Sequence, residues 1–154
     1  MSLVVAEAWT RVVDEADDRF ADMRPATATC DEAGFYLDPL TRAFEVDTGL
    51  CDYLTIEQPA GEALSAGDVV RIAIAHGDLT APTPSEGYVG LAFDDEIVWE
   101  YATPIPAPAD TFEAEFEVRR DVALGGAIQV HVHNHGANTW ELTSLKVAHR
   151  SECR

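Results

Sequence analysis

The sequence predicts a mainly β fold, an antiparallel β-sandwich (jelly roll) of eight or nine strands preceded by one N-terminal amphipathic helix over residues 3–24. Three observations carry that expectation. Apolar residues recur at every second position through most of residues 34–149. The runs are short and separated by Gly, Pro and Asp. Only the first two dozen residues show helical spacing instead. With 154 residues and 47% apolar content the chain fits a single domain, since a chain of this length buries roughly 70% of its unfolded surface.

Taken in order, Val5, Trp9, Val12, Val13, Ala16, Phe20 and Met23 fall at helical spacing, while Glu7, Asp14, Glu15, Asp17 and Asp18 point away, and Pro25 ends the helix. The expected role of this helix is to pack its apolar face on the domain's own sheet. Strands are then expected at 34–37, 43–47, 53–58, 69–76, 88–93, 97–101, 111–119, 128–135 and 140–149. The clearest has Phe112, Ala114, Phe116 and Val118 inward and Glu113, Glu115 and Glu117 outward, a strand with one wet face. Asp94-Asp95 marks a tight hairpin, and Gly125-Gly126 and Gly136 mark further turns. The run Pro104-Ile-Pro-Ala-Pro108 reads as an extended connection crossing between sheets.

This order of segments resembles the galactose-binding-like β-sandwich, the jelly roll shared by many carbohydrate-binding modules. The resemblance spans about residues 43–149. It rests on Gly67-Asp-Val-Val-Arg-Ile-Ala-Ile, the hairpin from Tyr88 to Trp99, the strand Phe112 to Val118, and Ala127-Ile-Gln-Val-His-Val followed by Trp140 to Val147. It implies a non-catalytic ligand-binding domain, often extracytoplasmic and sometimes holding a structural calcium. The histidine row described next and the N-terminal helix depart from that pattern.

A formal charge of −18, from 28 acidic residues against 10 basic ones, repels phosphate backbones and anionic lipid, so nucleic acid and membrane surfaces are poor candidate partners and no membrane insertion is expected. Lys146 is the single lysine, a bias that either adaptation to salt or a GC-rich genome produces. No apolar run approaches the roughly 20 residues of a membrane span, and Leu3 to Ala6 is too short for a secretory core. The location is therefore extracytoplasmic if a leader has been removed and cytoplasmic otherwise. Cys30 and Cys51 flank a strand-like segment and either form a disulfide or, with Cys153, remain reduced thiols.

The most informative stretch is Ile128 to Leu142. His131, His133 and His135 recur at every second residue, so in a strand they share one face while Val130 and Val132 share the other. Two chemistries suit this face. Sugars stack on aromatic rings and hydrogen-bond to imidazole and amide groups, which makes His131, His133, His135, Asn138 and Trp140 a candidate ligand-binding set, with Asn134 beside them and Trp99 and Tyr101 as a second aromatic pair. Alternatively, the His131-x-His133 spacing lets two imidazoles converge on a divalent metal, an arrangement similar to that of cupins. Cupins place a glutamate shortly after the second histidine; here the next acidic residue is Glu141. A third account has the histidines simply pairing with surface carboxylates. Calcium is conceivable at Asp94, Asp95 and Glu96, or around Asp47 and Asp52.

No nucleophile elbow, phosphate-cradling loop, H-E-x-x-H helix or Cys/His nucleophile motif occurs, so the sequence leans away from an enzyme. The first expectation is a non-catalytic module binding a small neutral ligand, a glycan among them, near residues 131–140. The second is a metal-binding jelly-roll protein or enzyme using His131 and His133. The third is a structural or interaction domain whose N-terminal helix packs on a partner.

Overall fold

The computed structural model describes residues 1–149. Ten strands form two five-stranded antiparallel sheets packed face to face. They are β1 (Thr10–Arg11), β2 (Phe35–Leu37), β3 (Phe44–Asp47), β4 (Tyr53–Pro59), β5 (Val69–His76), β6 (Ser85–Phe93), β7 (Glu96–Ile105), β8 (Asp110–Glu117), β9 (Ala127–Asn134) and β10 (Thr139–Ala148). One sheet runs β1-β4-β9-β6-β7 and the other β2-β3-β10-β5-β8. Consecutive strands pair directly only in β2–β3 and β6–β7, and every other connection crosses between the sheets, which is jelly-roll connectivity. The proline-rich run makes one of these crossings, carrying the chain from β7 in the first sheet to β8 in the second.

Period-two patterning explains the core. Val89, Leu91, Ile128, Val130, Val132, Leu54 and Ile56 from the first sheet meet Phe44, Val46, Val70, Ile72, Ile74, Leu145 and Val147 from the second, all buried in one cluster. The hairpin at Asp94 turns with a positive φ of 52°, tolerated by Asp, and is preceded by a bulge between Leu91 and Ala92. Strand β8 lies at a sheet edge, with Phe112, Ala114 and Phe116 half-buried and the glutamates between them exposed. Those glutamates discourage edge-to-edge pairing with another chain. Cys30 and Cys51 are joined by a disulfide, which on the chain-entropy model contributes about 3 kcal/mol by tying the segment before β2 to the start of β4. Cys153 lies outside the described residues.

All nine expected strands are present, and a tenth, β1, is added. The expected N-terminal helix is not there. Residues 3–24 contain only short 3₁₀ turns at Ala6–Ala8 and Ala21–Met23, with β1 pairing to β4 between them. The apolar residues read as one helical stripe take opposite fates: Phe20 is buried while Val13 is 78% exposed. Two physical reasons account for this. Thr10, Val12 and Val13 are β-branched and favour extended backbone. The aspartates also hydrogen-bond nearby main chain, with Ala16 N donating to Asp14 Oδ1 and Phe20 N to Asp18 Oδ1, which competes with helical bonding. Leu3 instead enters the core and bonds to β10, β1 adds an edge strand, and the chain around Asp17 to Phe20 runs as a strap across the outer face of β4, β9 and β6. With no helix present, the surface expected to dock a partner does not exist in that form.

Candidate functional site

Strand β9 alternates as its sequence requires. Val130 and Val132 enter the core, and Gln129, His131 and His133 project from the outer face of the first sheet. Across that face Tyr53, His133 and Tyr88 stand opposite one another on β4, β9 and β6, and Thr55, His131 and Gly90 form the neighbouring row. The strap covers the second row. Phe20 stacks on His131 with ring centroids 4.8 Å apart and an interplanar angle of 14°. It fits there because position 90 is glycine: a Cβ on Gly90 would lie 2.3 Å from Phe20 Cε1.

Beneath the strap lies a polar network with an ordered sense. The Asp18 carboxylate accepts from the Tyr53 hydroxyl at 2.7 Å, the Thr55 hydroxyl at 2.9 Å and Phe20 N at 2.9 Å. Thr55 has one proton, already given to Asp18, so its oxygen accepts from His131 Nδ1 at 2.8 Å. His131 Nε2 is then unprotonated and accepts from His133 Nδ1 at 2.7 Å. The chain of donors ends at His133 Nε2, which carries a lone pair at the half-exposed end of the row. Gln129 is held in the same manner, donating to the Asp17 carbonyl and to Glu57 while accepting from Arg19 N.

Burial dominates the titration of both histidines. His131 is fully buried and its pKa falls well below the usual histidine value, first through desolvation and then through His133. That of His133 is also lowered, by burial and then by His135, with Glu86 acting in the opposite direction. Both imidazoles are therefore neutral at pH 7. The phenols of Tyr53 and Tyr88 are pushed up, each mainly by burial and next by its carboxylate partner, Asp18 and Glu100 respectively.

At the accessible end, the Tyr88 and His133 rings are near parallel, 4.9 Å apart at 16°. His133 covers one face of the Tyr88 ring. Toward the other face the cross-strand neighbour on β7 is Ala102, exposed and too small to cover it. Glu100 accepts from the Tyr88 hydroxyl at 2.6 Å and fixes the ring's tilt, and Glu86, two residues before Tyr88, is exposed on the same strand. On the far side of His133, Arg24 sits 5.4 Å over the Tyr53 ring. The result is a small aromatic surface on rigid strands, bordered by carboxylates and offering lone pairs.

The structure splits the residue set that the sequence brings together. His131 lies inside the sheet–strap layer, His133 at its margin, and His135 is exposed at the end of β9. Trp140 belongs to β10 in the opposite sheet, where it is 1% exposed in the core. Gly87 makes room for its ring, and its Nε1 donates to Asn134 Oδ1 at 2.6 Å. It is no stacking platform. Asn138 is buried and clamps the Thr80 main chain from both sides, and its backbone nitrogen donates to Thr48 Oγ1. Trp99 and Tyr101 lie along the open side of the sandwich with Phe112 closing on Tyr101 at 4.0 Å, so they line the seam between sheets.

The metal reading gains no support from this geometry. His131 spends both ring nitrogens on Thr55 and His133, and Glu141 stands on the opposite sheet beside Glu45. Among the described residues no group of three or more His, Cys, Asp or Glu side chains could hold an ion. The expected calcium positions are also engaged: Arg120 pairs with Asp95 and Glu96, Asp94 Oδ1 accepts from Ala127 N, and Asp47 and Asp52 accept from Gly49 N and Thr29 N. Tyr53, Tyr88, Glu100 and the strap escaped the sequence reading. Tyr88 alternates with Val89 in an expected strand, so its outward direction was readable; its neighbours were not.

No protein-family model matches the chain, and no curated protein matches it. Among solved structures the chain is similar to one described as "CBM4 structure and function", at 12% identity over 90% of this chain and 93% of that one, with a TM-score of 0.47. It is also similar to a family 16 carbohydrate-binding module at 5% identity, over 70% and 76% of the two chains, with a TM-score of 0.43. A third is TmCBM61 in complex with β-1,4-galactotriose, at 12% identity over 85% and 94%, with a TM-score of 0.41.

Proposed function

We propose that this protein is a non-catalytic β-sandwich module that binds a hydroxyl-rich ligand, a glycan in the first instance, on the outer face of the β9-β6-β7 strands. The observation that carries the reading is the Tyr88 ring, partly exposed, backed by His133, anchored through its hydroxyl by Glu100 and paired across the sheet with only the small Ala102. A saturated sugar ring lays its C–H face on such an aromatic surface, and its hydroxyls donate to the surrounding carboxylates and to His133 Nε2. Support also comes from the way the face is built. Its side chains rise from paired strands and are locked by a hydrogen-bond chain, so little ordering is required on binding. The core void among Phe44, Leu54, Val130 and Trp140 measures about 10 Å³, no more than one water, so it is too small to hold a sugar.

Titration calorimetry and a glycan array on the wild type, Tyr88→Ala and Trp140→Phe test the proposal. Binding should be lost in Tyr88→Ala and kept in Trp140→Phe. Glycan binding that survives Tyr88→Ala with unchanged affinity places the site elsewhere and refutes this reading.

A further inference from the structure

We infer that the Tyr88–His133 surface selects a glycan bearing a protonated primary amine, an amino sugar, over the corresponding neutral sugar. This rests on the binding reading above and specifies its ligand. The argument starts from the polar groups beside the open ring face. Glu86 and Glu100 are exposed carboxylates, and His133 Nε2 is an acceptor because the donor chain from Asp18 through Thr55 and His131 leaves it unprotonated. The Tyr88 proton is already given to Glu100. Glu86, Glu100 and His133 Nε2 therefore all present acceptors on this side of the ring, with the His135 imidazole the neighbour of His133 beyond them. The nearby cation, Arg24, lies over Tyr53 on the opposite flank of His133.

A neutral sugar satisfies acceptors with its hydroxyl protons and leaves two carboxylate charges uncompensated. An ammonium group supplies three donors and a positive charge together, and the Tyr88 ring adds the attraction of its π face for a cation. The field of a chain carrying −18 charges acts in the same direction, concentrating cations and repelling uronic acids or sulfated sugars. A lysine side chain carries the same ammonium, but its unbranched stem does not offer the flat C–H face that the ring next to Ala102 accommodates. The amino sugar uses both features at once.

Calorimetry at pH 6.5 and low salt, with tetramers of glucosamine, N-acetylglucosamine and glucose and with tetralysine, separates the outcomes. The glucosamine tetramer should bind about five- to tenfold more tightly than either neutral tetramer, a margin consistent with one or two solvent-exposed charge contacts. The margin should shrink with added salt and vanish in the Glu86→Gln, Glu100→Gln double variant, whose isosteric amides keep an acceptor for Tyr88. Equal affinity for all three saccharides, unchanged in the double variant, overturns the amine preference and leaves the glycan reading standing. No binding by any saccharide overturns both. Tetralysine binding as tightly as the glucosamine tetramer, with the same dependence on the two glutamates, overturns the amino-sugar assignment in favour of a cationic peptide.

Discussion

Replacing Gly90 with alanine tests the way the strap is seated. The new Cβ would stand 2.3 Å from Phe20 Cε1, 2.9 Å from Phe20 Cζ and 3.1 Å from Tyr88 Cε1, so the Phe20 ring has to leave its place over His131. Phe20 is 1% exposed, and losing that burial costs about 1.5–3 kcal/mol. Against this, alanine is favoured over glycine within a strand by about 0.5–1 kcal/mol. The net expectation is a loss of roughly 1–2 kcal/mol. In a Phe20→Ala background the obstacle is gone, and Gly90→Ala should become neutral or stabilising, a coupling energy of about 2 kcal/mol. Urea denaturation at pH 7.5, followed by tryptophan fluorescence in wild type, both single variants and the double variant, measures that coupling. If Gly90→Ala costs the same with and without Phe20, the strap is not held by this contact and the account of the buried network fails with it.

Two further outcomes are expected. Trp140→Phe should cost about 1–3 kcal/mol, since it shrinks a core side chain and leaves Asn134 Oδ1 without the indole donor, and chemical denaturation should register that loss. The buried histidines make stability fall in mild acid. Folded His131 and His133 resist protonation while the unfolded chain takes up protons near the ordinary histidine value, so their contribution is fully present above about pH 6.5 and declines as pH drops below it. The limiting slope is about 1.4 kcal/mol per pH unit per histidine, and His131→Gln should remove one such share between pH 5 and 6.5 in urea titrations. Equal slopes in both proteins would count against a neutral buried His131.

The strands were legible because alternation is a local property of the backbone: every expected strand from β2 to β10 is found, with ends differing by a few residues. The outward direction of the histidines followed from the same rule. What lies above a face does not. His131 is sealed by Phe20, 111 residues earlier, and nothing in the β9 segment records that partner. In the N-terminal stretch the spacing of apolar residues imitates a helix, yet the run Thr10 to Val13 and the aspartates after it carried the contrary signal through β-branching and side-chain competition for main-chain hydrogen bonds. The position of Trp140 was also readable. It alternates in phase with Leu142, and the bulge between Leu142 and Ser144 shifts that phase to Leu145 and Val147. It lies close to the histidines in sequence but not in space, because the turn at Gly136 carries the chain across to the other sheet.

The strap has a consequence for the surface beside it. A layer that buries Asp18, Thr55, Gln129 and His131 is tolerable only if each polar group finds a partner, because a half-satisfied network destabilises more than an apolar layer would. That condition is met: among the described residues the sole buried side-chain polar atom without a partner is Ser85 Oγ, outside this network. Satisfying the network also removes its freedom. Once Asp18 takes the Thr55 proton, the tautomers of His131 and His133 follow, and the lone pair exposed beside Tyr88 is set by a carboxylate three hydrogen bonds away. Asp18→Asn offers two donors where the carboxylate only accepts, so it permits the opposite order, with His133 Nε2 turned into a donor. The donor or acceptor character of His133 Nε2 at the surface is therefore decided beneath the strap, by a carboxylate that does not itself reach that face.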